Sequence, residues 1–134
     1  MKLPIVQVAD LLGAANFSWV TNDHIYTTNV TPDEDDSGKT TFIRVQDAPS
    51  KLDYYANNSP QSLIAGVEVQ IFFSNNWSKL TNNLTIFDAK VAVLNLLQKN
   101  SWKVQIPLNP DSIDPDTGQK TATIYITKIL RMEN

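Results

Sequence analysis

Residues Leu63 to Phe73 read LIAGVEVQIFF, an eleven-residue run that alternates between two sides. Leu63, Ala65, Val67, Val69, Ile71 and Phe73 fall on one side; Ile64, Gly66, Glu68, Gln70 and Phe72 fall on the other. A period of two is the signature of a β-strand. At about 3.3 Å per residue the run spans roughly 36 Å, which is long for a small domain. Such a strand needs hydrogen-bonding neighbours on both edges and an apolar layer against its first side. Ile64 and Phe72 add apolar surface to the second side, and a subunit interface is the expected cover for it.

Thr40 to Asp47 alternates in the same way, with Thr41, Ile43 and Val45 on one side and Phe42, Arg44 and Gln46 on the other. Lys120 to Leu130 does so again, placing Ala122, Ile124 and Ile126 inward. Trp102, Val104 and Ile106 form one face of a further strand, expected to make a hairpin with the last one. A short strand is expected over His24 to Asn29. Two segments instead show helical spacing. Leu3 to Ala15 repeats Ile5, Val8, Ala9, Leu12 and Ala15, with Pro4 in the first turn and Gly13 and Asn16 marking the stop. Thr85 to Asn100 places Phe87, Val91, Leu94 and Leu97 on one stripe, with Asp88 early and Lys99 late as the helix dipole prefers. Ala48 to Pro60 carries two prolines and reads as a loop, in which Tyr54 and Tyr55 could pack down. The order is α-β-β-β-α-β-β over residues 1–134. Consecutive strands without crossover helices favour a mainly antiparallel sheet with two helices on one face, a single α+β domain. Gly66, alone among four glycines, falls inside a strand, where a bulge or a close backbone approach is expected.

The chemical vocabulary of the chain is narrow. There are no cysteines and one histidine, so disulfides, thiol chemistry and Cys-ligated zinc are excluded. A net charge of −3 offers no clustered cations for phosphate, which argues against specific nucleic-acid binding. The charge is split: residues 1–60 hold eight acidic against four basic groups, and residues 61–134 six against seven. No targeting or bilayer-spanning segment is read, so a soluble protein made inside the cell is expected. Five Asn-x-Ser/Thr matches among 13 asparagines are read as chance.

Three clusters invite a functional reading. Asp33, Glu34, Asp35 and Asp36 lie in TPDEDDSG, but consecutive carboxylates diverge and repel, so an exposed loop or a partner contact is favoured over a metal site. Asp114, Asp116 and Gly118 share part of a calcium-loop spacing, yet the third ligand and terminal glutamate are missing and a turn is expected. His24 follows Asp23, with no nucleophile motif such as Gly-x-Ser-x-Gly anywhere in the chain. Trp19, Tyr26, Tyr54 and Tyr55 could stack on a ligand, although packing is the commoner use of such residues. No catalytic centre, cofactor site or metal site is read.

The segments DHIYTTNVTP, SLIAGVEVQIFFS, LLQKNSWKV and IDPDTGQKTATIYITK resemble a family of small tail-component proteins from long-tailed phages and prophages of lactic acid bacteria. The resemblance runs from the first helix to the last strand. It implies a non-enzymatic virion protein at the head–tail junction, similar to phage tail terminators. Those are α+β subunits that form a hexameric ring on the last tail-tube disc. Its implied partners are further copies of itself, the major tail-tube protein and the head-connector protein, with DNA passing through and no membrane. Its implied place is the virion tail or neck, assembled in the bacterial cytoplasm. A ring needs heterologous contacts, and the split charge could favour head-to-tail approach. Asp33–Asp36 are then expected at the lumen or an axial partner. Two alternatives stay open: a neck or head-completion protein of the same junction, and a small monomeric peptide- or ligand-binding module.

Overall fold

A computed structural model describes residues 2–27, 38–56, 59–106 and 108–131, with backbone only at 53–56 and 59–61. Three long strands build its centre: β2 (Phe42–Ala56), β3 (Ser59–Phe73) and β6 (Lys120–Arg131). β3 lies between the other two and pairs antiparallel with both. The short strands β1 (Ile25–Tyr26), β4 (Lys103–Val104) and β5 (Ser112–Ile113) add to the flanks. The order is β1-β2-β3-β6-β4, with β5 also on β6; β1 pairs parallel to β2, and the other pairings among the described residues are antiparallel. Helices α1 (Pro4–Ala15) and α3 (Ile86–Lys99) complete a mixed α+β domain, joined by the single turn α2 (Trp77–Leu80).

The helices form where their ends are satisfied. Thr85 caps α3 by accepting from the Asp88 N–H at 3.0 Å, and Asp88 and Lys99 sit at the ends that the dipole favours. Pro4 opens α1, and Asn16 ends it in the left-handed region at φ 52°, three residues beyond Gly13. One apolar layer joins Val8 and Leu12 of α1, Ala89, Val93 and Leu97 of α3, and the inward row Ile43, Val45, Val67, Val69, Ile71, Ala122, Ile124 and Ile126. Trp19, Phe73 and Trp77 close one end of it, with Phe73 edge-on to Trp77 at 5.1 Å. Lys90 and Asp111 tie α3 to the segment before β5 at 2.9 Å.

Several expectations need correction. Ala48 to Ala56 is not a loop: β2 continues through it to a hairpin with β3. Pro49 is tolerated because it sits where the register shifts, between Ala48 and Lys51, on an edge strand. The predicted close approach at Gly66 is there, since a Cβ on it would lie 2.2 Å from the Pro49 carbonyl oxygen. The stripe of α3 is rotated: Phe87 is 72% exposed, and Ala89, Val93 and Leu97 carry the buried face. Ile106 does not continue the face of Trp102 and Val104; it is 86% exposed. Of the strand expected over His24–Asn29, Ile25–Tyr26 is strand and His24 closes a 3-10 turn over Asn22–His24, while Thr28 and Asn29 lie outside the described residues.

Gln119 binds the start of the sheet together. It is fully buried, and its Nε2 donates to the carbonyls of Thr40 at 2.9 Å and Phe73 at 3.5 Å. The Ser74 N–H donates to Thr41 Oγ1 beside it at 2.9 Å.

Candidate assembly surface

The inward side of the sheet lies against α1 and α3, while the opposite side carries a ladder set by strand register. Phe42, Phe72 and Thr121 make its first row; Arg44, Gln70 and Thr123 the second; Gln46, Glu68 and Tyr125 the third. Ala48, Gly66 and Thr127 follow, and past the bulge come Lys51, Ile64 and Ile129. Cross-strand neighbours on one face interact directly, so each row is a unit.

Phe42 and Phe72 stack at 4.4 Å between centroids, with the Arg44 guanidinium 5.4 Å from the Phe72 ring. Arg44 Nε also donates to Gln70 Oε1 at 2.9 Å, and Gln70 Nε2 reaches Thr123 Oγ1 at 3.5 Å. Gln46 Nε2 donates to Glu68 Oε1 at 2.9 Å. The Tyr125 phenol hydrogen-bonds the same carboxylate, and that bond, followed by the Glu68 charge, raises its pKa above 10.0. These half-buried side chains are held in place by one another. The face is thus a rigid, mostly polar plate of low net charge.

A family model described as a protein of unknown function, DUF806, matches residues 2–131. The chain belongs to the DUF806 family. No curated protein matches it.

Of the two residues expected at an interface, the DUF806 fold buries one within the same chain. Phe72 is 7% exposed, covered by Phe42 and Arg44, because the neighbouring strand supplies an aromatic partner in register. Ile64 is half-buried and lines a concavity of about 390 Å³ with Ser101, Lys103, Thr127, Lys128 and Ile129. Asp33, Glu34, Asp35 and Asp36 lie outside the described residues, as do the side chains of Tyr54 and Tyr55.

The other motifs of this DUF806 chain find structural uses. Asp114 makes a turn, its Oδ1 accepting from the Asp116 N–H at 2.9 Å and its carbonyl from the Gly118 N–H at 2.8 Å. Gly118 takes φ +74°, which only glycine adopts at little cost. His24 Nδ1 meets Thr21 Oγ1 at 3.0 Å. Trp19 stacks on Phe17 at 5.1 Å, and Tyr26 packs edge-on to Phe42 at 6.0 Å. Among the described residues no group of three or more His, Cys, Asp or Glu could hold a metal ion. Sequence reasoning missed the Arg44–Gln70 and Gln46–Glu68–Tyr125 ladders. The alternation at 40–47 facing that at 63–73 was the signal that could have placed them.

Proposed function

We propose that this chain is a non-enzymatic virion subunit of the phage head–tail junction, a tail terminator that forms a ring on the end of the tail tube. Its partners in this reading are further copies of itself, the major tail-tube protein and the head-connector protein. It assembles in the bacterial cytoplasm and ends in the virion. The observation that supports it best is the one-sided sheet. Both long helices pack on one face, and the other presents an ordered plate of Arg44, Gln46, Glu68, Gln70, Thr123 and Tyr125. A preorganised surface loses little side-chain entropy when a neighbour docks, which suits a subunit that works by holding shape. The resemblance of the long-strand and Trp102–Lys128 segments to tail components supplies the place in the virion.

Light scattering and negative-stain imaging of the purified protein, alone and with tail tubes, test the reading. Six-fold rings, about six times the 15.0 kDa chain mass, on tube ends are expected. A protein that is monomeric in both conditions refutes it. Rings that bind head connectors and ignore tube ends would instead favour the neck or head-completion alternative.

A further inference from the structure

Among the described residues the far end of β6 is an open strand edge with a basic groove along it. The Gln105 N–H donates to the Tyr125 carbonyl at 2.8 Å, and Lys103 pairs with Thr127. Backbone groups of an antiparallel strand face alternate neighbours, so Ile129 and Arg131 aim theirs toward the same side as Tyr125 and Thr127. β4 cannot follow them. Its preceding amides are taken by the end of α3, Ser101 N–H by Gln98 O at 3.1 Å and Trp102 N–H by Leu97 O at 3.0 Å. Among the described residues no strand covers β6 from 128 to 131 on that side.

The groove has a definite chemistry. Ile64 and Ile129 give it an apolar floor, and Ile129 is 66% exposed. Lys103 and Lys128 line it, Arg131 follows one row on, and none of the three meets a carboxylate among the described residues. Lys128 is held in place, its Nζ 3.2 Å from the Asn100 carbonyl oxygen and 5.7 Å from the centre of the Trp102 ring. Both partners are neutral, so the cation is fixed without being neutralised.

We propose that this edge accepts an extended, acidic segment of a different polypeptide as an added strand. Main-chain bonds to Ile129 and Arg131 would hold it, alternate apolar side chains would seat on Ile64 and Ile129 on the outer face, and its carboxylates, on the other face, would meet Lys128, with Lys103 and Arg131 adding attraction from nearby. A second copy is disfavoured as the donor: pairing β6 with β6 would bring Lys103, Lys128 and Arg131 against their own copies, and the β2 edge, as seen in the described residues, is guarded. There β2 carries exposed Asp47, then Pro49 with no N–H, then a register shift, and each opposes edge-to-edge pairing. The proposal goes beyond the ring reading and holds whether or not rings form.

The test uses the full isotope-labelled chain and a short, end-blocked peptide of alternating Asp and Val, with its Lys–Val counterpart as control. The expected result is amide shifts and exchange protection centred on Ile129 and Arg131, with the acidic peptide preferred by about tenfold or more. Lys128→Glu with Lys103→Glu should reverse that preference. Ile129→Pro removes an N–H aimed at the open edge and no bond to β3, so it should abolish binding while melting temperature and ring mass stay unchanged. Equal binding of both peptides, perturbation centred elsewhere, no binding at about 1 mM peptide, or binding that survives Ile129→Pro each overturns the proposal. Protection at Ile129 and Arg131 that rises with protein concentration alone would overturn the choice of partner and assign the edge to a second copy. Light scattering on the same variants reads the ring separately, so either idea can fail without the other.

Discussion

At Gly66 the requirement is for space and not for an unusual backbone angle. Its strand conformation suits any residue, but a methyl group there would meet the Pro49 carbonyl, part of a bulge that cannot retreat without disturbing β2. Gly66→Ala should therefore destabilise the fold by about 1–3 kcal/mol, as overpacking does, read by chemical denaturation. Tyr125 offers a second test. Its bond to Glu68 favours the neutral phenol, so its folded pKa lies above 10.0. The stabilisation is then fully present below the unfolded value and is lost as pH rises through the folded one. Glu68→Gln should bring the Tyr125 titration back toward 10.0, measured as the phenolate absorbance that Tyr125→Phe removes.

At the scale of elements, α3, β3 and β6 are legible in the sequence because each carries its period over three or more repeats. The face of α3 is less so: Phe87, Val91, Leu94 and Leu97 fit a 3.6 period as well as Ile86, Ala89, Val93 and Leu97 do. Only the packed sheet separates the two stripes. Leu97→Ala should cost about 2–5 kcal/mol, Phe87→Ser should fall within about ±0.5 kcal/mol, and Thr85→Ala should cost about 1 kcal/mol through the lost cap. Thermal melts of the three variants check the order. The second half of β2 was hidden because Pro49 reads as a strand breaker, and only pairing with β3 shows that it occupies a bulge on an edge. The outer ladder was hidden for a different reason. Gln, Glu and Thr on alternate positions look like any solvated strand face until register brings Arg44 to Gln70 and Gln46 to Glu68.

For the whole molecule, the split of charge matters more than its total. The three cations at the β6 edge all belong to the more basic second half, whereas Asp33–Asp36 belong to the first and lie outside the described residues. If those four carboxylates face a lumen, replacing them by Asn and Gln should leave ring mass unchanged in light scattering. Loss of the oligomer would place them between subunits instead. Gln119 has a mechanical consequence at this scale. By fastening the beginnings of β2 and β6 to the end of β3, it clamps the sheet like a cantilever at one short side. The opposite short side, past the bulge, has Leu52, Leu63 and Leu130 aligned in a row with Leu52 half uncovered. Compliance should therefore grow with distance from Gln119, letting the far rows of the sheet settle against a neighbour while the helical layer stays unstrained.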